Sequence, residues 1–268
     1  MRKESKIQPT VASVTEAIER FAPKRLQEDY DNAGLQVGSP DQHVTGVLLC
    51  LDVTEQVLQE ARERKCNLIV SHHPLLFKGL KELTGSTPVQ RIVIEALRDG
   101  IAIYSAHTNL DSARDGVSYE MAHILGLEDL RPLEPRLDSE YEGLGIIGNI
   151  KPVPAIEFLR RVKEDFDVKC LRYSAASPHL VIRKVALCGG SGASFIRKAI
   201  AEHADAIVTA DVKYHDFTDN SDRILIADIG HYESELCARK ILSRIIRESF
   251  PDCQALFSQT DRNPVAYL

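Results

Sequence analysis

The chain has 268 residues, 44% of them apolar, enough for one large core or for two domains of ordinary size. Its net charge of −6 at pH 7 argues against a general binder of nucleic-acid backbones, so nucleic acid is not an expected partner. The opening MRKESKIQPT lacks the apolar core of a secretion signal, no uncharged apolar run reaches the ~18 residues of a membrane span, and six scattered cysteines without a C-x-x-C read as reduced thiols; a cytoplasmic protein is expected.

Taken in chain order, SVTEAIERF (13–21) has helical spacing. DYDNAGLQVG (29–38) follows, its Asp31-Asn32 and paired glycines marking a shaped loop: a turn before a strand, or the lining of a cleft. Residues 44–73 then read as apolar strand, tight turn, amphipathic helix around Val57 and Ala61, and a second apolar strand. Strands that are apolar throughout belong to parallel sheets covered by helices on both faces.

The second strand runs out into Ser71-His72-His73-Pro74. Neighbours within a strand point to opposite faces, so the two imidazoles meet only if the strand has ended. Pro74 disfavours a helical His73 and predicts a kinked exit. One core histidine beside one exposed histidine is the competing reading. A third strand, in IAIYSAHTNLD (101–111), exits into His107 and, four residues on, Asp111. Asp111 or Ser112 is also a natural N-cap for the helix ARDGVSYEMAHIL. RPLEPRLDSEYEG (131–143), with two prolines and dense charge, marks a boundary, giving lobes 1–130 and 131–268. By its sequence the C-terminal helix can pack on either lobe.

The second half repeats the first. Residues 182–211 lie over 44–73 at an offset of 138, with Cys50 on Cys188, Ala61 on Ala199 and Val70 on Val208. Residues 225–235 lie over 101–111 at an offset of 124, with His107 on His231 and Asp111 on Glu235. The first copy carries 14 more residues in the loop-and-helix region between these blocks, which includes FKGLKELTGSTP. Within the second copy, CGGSGASF (188–195) is a tight strand–helix turn in preference to a phosphate cradle, since the P-loop lysine is missing. The expected fold is therefore α/β: two similar α/β/α lobes from an internal duplication, with a metal site in the cleft between them.

Four polar outcrops end predicted strands: Ser71-His72-His73, His107-x3-Asp111, Thr209-Ala210-Asp211 and His231-x3-Glu235. The carboxyl ends of strands are where open α/β sheets place their ligands. His231 and Glu235 open a helix, and i,i+4 residues share a face, which leaves Glu233 facing elsewhere. Acids that merely complement a helix N-terminus are the competing account. Together His72, His73, Asp111, His231 and Glu235 supply three imidazoles and two carboxylates. One zinc takes three or four ligands, whereas five suit two divalent ions with open positions for water. His107 is placed behind a ligand, orienting it.

DNAGLQVG (31–38), SHHPLLFKGLK (71–81), AHTNLDSARDGV (106–117), TADVKYHDF (209–217) and ADIGHYESE (227–235) closely resemble the motifs of the GTP cyclohydrolase 1 type 2 homologue family. The resemblance runs along nearly the whole chain. It implies a dinuclear-metal protein of two similar lobes, assembled as a toroidal homohexamer. Its metal ligands carry over onto His72, His73, Asp111, His231 and Glu235, with zinc, manganese or iron as the metal. The function expected is that of a two-metal-dependent hydrolase acting on a nucleotide or related small phosphate-containing substrate. The alternative is a non-enzymatic metal-binding, metal-delivery or scaffold protein.

Overall fold

The computed structural model describes residues 8–175, 177 and 179–268; the opening MRKESKI, read above for a secretion signal, lies outside the described residues. The chain forms two compact units, Met1–Leu110 with Ala238–Arg262, and Asp111–Cys237 with Asn263–Leu268.

Helix α1 (Val11–Phe21) starts at a capping box, in which Thr10 Oγ1 accepts the Ser13 amide and Ser13 Oγ accepts the Thr10 amide. The first unit continues through β1 (Gly34–Val37), β2 (Val47–Cys50), α2 (Glu55–Glu63), β3 (Leu68–Ser71), α3 (Pro88–Arg98) and β4 (Ala102–Ser105). The short α4 (Thr108–Ser112) carries the chain into the second unit. There follow α5 (Val117–Ile124), β5 (Glu128–Pro135), β6 (Gly143–Pro154), α6 (Ala155–Asp165), β7 (Arg172–Tyr173) and β8 (Val181–Leu187). The unit closes with α7 (Ile196–Ala201), β9 (Ala206–Thr209), α8 (Tyr214–Asn220), β10 (Leu225–Asp228) and α9 (His231–Glu235). Then α10 (Cys237–Ser249) and β11 (Ala255–Phe257) return to the first unit.

The first sheet has the order β1-β4-β3-β2-β11, with β1 antiparallel at one edge and the other four parallel. Every residue of β2, β3 and β4 is buried, which is why these strands read as unbroken apolar runs. Leu48, Ile69 and Ile103 pack with Val57, Leu58 and Ala61 of α2 and with Ile92, Val93 and Ala96 of α3. The second sheet has the order β5-β6-β8-β9-β10-β7, parallel only through β8, β9 and β10. Its Ala186, Ile207 and Ile226 pack against Ile196 and Ala199 of α7.

The duplication is visible in the strand registers. Val47 pairs with Leu68 in the first sheet and Val185 with Ala206 in the second, the same offset of 138. The next step corrects the sequence alignment by one residue. Leu68 pairs with Ala102 and Ala206 with Leu225, so Ala102 corresponds to Leu225 and not to Ile226. The copies regain step at His107 and His231 because the second inserts Gly230, at φ 87°. That left-handed value is open to glycine at little cost.

The first crossover falls at Leu110–Asp111, earlier than the boundary expected at 130–131. The reason is hydrogen bonding: β5 pairs antiparallel with β6 and so belongs to the second sheet. The charged, proline-containing stretch near residues 131–143 is a hairpin within that sheet. The C-terminal helix belongs to the first unit, anchored by β11, whose Ala255 pairs with Val47.

Glu60 of α2 holds this returning segment. Its carboxylate accepts Ser258 Oγ (2.6 Å), the Gln259 amide (3.0 Å), Thr260 Oγ1 (2.8 Å) and Arg64 Nη1 (2.6 Å). Burial alone raises its pKa, but these hydrogen bonds outweigh burial and bring it from 4.5 down to about 2. A pKa lowered on folding gives stability that is complete above about pH 4.5 and fades as pH falls through about 2. Glu60→Gln is expected to lose roughly 2–3 kcal/mol at pH 7 in urea unfolding. The variant's stability should also vary less than the wild type's across that acid window.

Candidate metal centre

In the first unit, the exits of β3 and β4 carry three imidazoles. Strand β3 ends at Ser71, and the chain bends at His72 and His73, as the following proline predicts. Their ring centroids lie 5.1 Å apart, and His107, two residues past β4, lies 5.3 Å from His72 and 5.5 Å from His73. Each of the three rings offers a nitrogen, and these nitrogens all lie within 4.8 Å of one another.

Each Nδ1 has its own acceptor. His72 Nδ1 bonds the Ala106 carbonyl at 2.8 Å, His73 Nδ1 bonds Asp52 Oδ1 at 2.9 Å, and His107 Nδ1 bonds Asp31 Oδ1 at 2.8 Å. A proton held on Nδ1 by a carbonyl or carboxylate leaves Nε2 with its lone pair, the form in which histidine binds metal. Asp31 also accepts the Thr108 amide at 3.0 Å and the Thr108 hydroxyl. Burial would raise its pKa, yet the His107 and Thr108 hydrogen bonds prevail and lower it to about 2. Asp31 is therefore an anion at neutral pH and a strong acceptor for His107.

In the second unit, α9 begins at His231, so His231 and Glu235 share one helical face, with His231 Nε2 3.0 Å from Glu235 Oε2. That spacing is close to the ~3.3 Å edge defined by tetrahedral metal bonds of ~2.0–2.1 Å. His231 Nδ1 bonds Asp211 Oδ2 at 2.7 Å, the same arrangement as in the first unit. Burial would raise the pKa of Asp211, but hydrogen bonds from Ser191 and His231 prevail and lower it. Asp111 and Glu235 share an environment: burial first, and then nearby carboxylate charge, pushes the thiols of Cys188 and Cys237 well above their usual range, the charge coming from Asp111 and Glu235 at Cys188 and from Glu120, Asp111 and Glu235 at Cys237.

The glycine-rich turn after β8 exists for Glu235. A Cβ on Gly190 would lie 2.1 Å from Glu235 Oε1 and 3.3 Å from His231 Cε1, and Gly190 itself sits at φ 60°. The Gly190 amide donates to Ser234 Oγ at 2.9 Å, one residue from Glu235. The turn cradles a carboxylate of its own chain, which agrees with the preference for a turn over a phosphate site.

The residues singled out from sequence thus divide between the units: His72, His73 and His107 cluster in the first, and His231 and Glu235 meet in the second, which also holds Asp111. His107, expected behind a ligand, stands beside His72 and His73 as an equal candidate. Asp111 is not the N-cap considered for it; it lies inside α4, and α5 starts later, after Gly116. Glu233 points elsewhere, as helical spacing requires, with Oε1 accepting Asn263 Nδ2 at 2.8 Å. Three carboxylates, Asp31, Asp52 and Asp211, are imidazole partners, a role that no sequence pattern records. Asp52 aligns with Gly190 and Asp211 with His73, so the repeat gives neither a carboxylate counterpart. The one available signal was their position just beyond the ends of apolar strands.

The three imidazoles of the first unit and the His231–Glu235 pair of the second are donors that suit a borderline divalent ion. Residues 9–264 match the model of the family Duf34/NIF3 (NGG1p interacting factor 3). The chain belongs to the Duf34/NIF3 family. It is 34% identical to a protein of Streptococcus pneumoniae named GTP cyclohydrolase 1 type 2 homolog, over 96% of this chain and 99% of that one. It is 31% identical to the NIF3-like protein 1 of Drosophila melanogaster, over 95% of this chain and 88% of that one. Among solved structures, the Staphylococcus aureus hypothetical protein SA1388 matches with TM-score 0.89 and 26% identity, covering 97% of this chain and 99% of that one. A Bacillus cereus protein related to NIF3 matches with TM-score 0.88 and 25% identity, covering 98% and 100%. The resemblance read from the five sequence motifs is thereby confirmed, and with it the two-lobed α/β fold.

For this Duf34/NIF3 chain, removing an Nδ1 acceptor should lower the affinity of the candidate ligands for a divalent ion. Asp211→Ala is expected to weaken zinc binding by about 10- to 100-fold in isothermal titration. Gly190→Ala should weaken it at least as much, since the new methyl takes the place of a Glu235 oxygen. Unchanged affinity in both variants would show that the second-unit group holds no metal.

Proposed function

We propose that this chain holds two divalent ions, zinc, manganese or iron, through His72, His73, Asp111, His231 and Glu235, and that it hydrolyses a nucleotide or related small phosphate-containing substrate. The observation that carries the reading is the common design of the imidazoles: every Nδ1 is taken by a carbonyl or carboxylate, which leaves Nε2 for a cation. Structural zinc sites more often recruit thiolates, whereas Cys188 and Cys237 are kept protonated here by burial and by neighbouring carboxylates. His107 joins the set as a further ligand or as the group that steers His72 and His73.

Bound ions of this kind acidify water and offset charge that develops on a substrate. The chain's own contribution is orientation and charge balance. Asp31, Asp52 and Asp211 hold the Nδ1 protons of His107, His73 and His231 and so keep each ring in one tautomer. Asp111 and Glu235 bring the negative charge that two dications call for. The name carried by the bacterial relatives supports a nucleotide, GTP among them, as the substrate class. The family resemblance supports a toroidal homohexamer.

Elemental analysis of metal-loaded protein is expected to give two ions per chain, and a screen of nucleotides and phosphodiesters to give metal-dependent turnover. Reversible metal exchange without turnover would instead favour a metal-delivery protein. An ion that binds only the folded state at 100 times its Kd adds roughly 2.7 kcal/mol of stability. Asp111→Ala and Glu235→Ala should therefore abolish most of the metal-dependent rise in melting temperature. Glu233→Ala should change it little. Light scattering that returns the mass of a monomer would overturn the hexamer.

A further inference from the structure

The connection from β3 to α3 is 16 residues long, 72–87, and contains neither helix nor strand. Connections of this length in compact domains are uncommon and usually functional. The fold does not require it: in the second copy, only residues 210–213 separate β9 from α8. Leu75 and Leu76 of the extra chain pack against the first unit's core, but residues 77–84 are exposed and have no such role.

What this loop presents is an aromatic ring. Phe77 is 45% exposed, although burying it would be favourable. Its ring stands edge-on to His107, with centroids 6.3 Å apart and planes at 81°. Tyr30, 64% exposed, lies beside it at 6.4 Å. Both rings sit on braced backbone. Asn32 Nδ2 donates to the Leu76 carbonyl at 2.6 Å, the Leu76 amide donates to Gln36 Oε1 at 2.8 Å, and Gln36 Nε2 donates to the Asn32 carbonyl at 2.6 Å. Tyr30 is bonded in sequence to Asp31, the residue that orients His107. The loop also carries Lys78 and Lys81, both exposed, against the single acid Glu82.

We propose that Phe77 and Tyr30 form a stacking platform for the planar heteroaromatic ring of the ligand, a nucleobase, held beside the His72–His73–His107 group. The inference deepens the reading of this chain as a metal-dependent hydrolase and rests on it for the choice of nucleotide. Two exposed rings fixed next to candidate metal ligands bind a flat ring by stacking, a contact that tolerates any base because every base has a π-face. The exposed lysines of the same loop complement a phosphate on that ligand. The platform lies in the first unit, beside its three histidines.

The test is ligand-observed NMR with metal-loaded protein and three probes: guanosine 5′-monophosphate, adenosine 5′-monophosphate and ribose 5-phosphate. Saturation transfer is expected to be strongest at the base protons of both nucleotides. Phe77→Leu, which keeps apolar bulk but removes the ring, should weaken both nucleotides by about 5- to 150-fold. Phe77→Trp should restore binding, and ribose 5-phosphate should be unaffected by either change. Metal content by elemental analysis should stay at the wild-type value in all variants. Equal loss of nucleotides and ribose 5-phosphate in Phe77→Leu would overturn the proposal, as would unchanged nucleotide affinity. A drop in assembly mass without a change in nucleotide affinity would assign the rings to contact with a second copy, and also overturn it. Base binding that survives where no probe is turned over supports the platform and counts only against the hydrolytic reading.

Discussion

An imidazole that lends one nitrogen to a cation normally keeps a proton on the other, and an acceptor for that proton fixes the ring's tautomer and orientation. Four histidines of this chain are held this way, three through carboxylates and one through a backbone carbonyl. The acceptors come from strand exits and from the loop around Asp31, so their positions depend on where each strand stops. Parallel strands stop in step when their register is locked, and here the register is locked by strands buried on both faces. A one-residue slip would carry each side chain to the opposite face of its sheet. The sheets thus serve the imidazoles by fixing where the chain leaves them.

Burial sets the second condition. Glu235 is only 4% exposed, and an isolated carboxylate at such a site would be costly. Its neighbourhood answers with the His231 ring on one side and a turn stripped of side chains on the other. Cys188 and Cys237 stay thiols beside it, raised by burial and by the charge of nearby carboxylates, Asp111 and Glu235 among them. Gly190 has little to do with phosphate and much to do with leaving room for one carboxyl group, while Gly192 clears Thr209 and Cys188.

The two copies have kept their strands and parted in their loops. Strand residues touch neighbours on every side, so a change there disturbs packing at once, whereas loops face water and tolerate insertion. Hence β3 and β9 still match residue for residue, while the connections that follow them differ in length by a factor of four. Even the strand exits differ: Gly230 is an extra residue that sets His231 at the head of a helix, and His107 reaches its place directly from β4.

Periodicity, repetition and the chemistry of the residue types were legible in the sequence alone. They were enough for the α/β class, the kinked exit at His72-His73 and the shared face of His231 and Glu235, because each depends on neighbours a few residues apart, and for the duplication, because the same short patterns recur along the chain. Tertiary structure decided whatever depends on partners distant in the chain. Asp31 is 76 residues from His107, Asp52 is 21 from His73, and Asp211 is 20 from His231, separations that no local pattern records. The first crossover at Leu110–Asp111 and the return of α10 and β11 to the first unit were likewise decided by strand pairing across the fold. A run of apolar residues shows that it will pair, and only the folded sheet selects its partner.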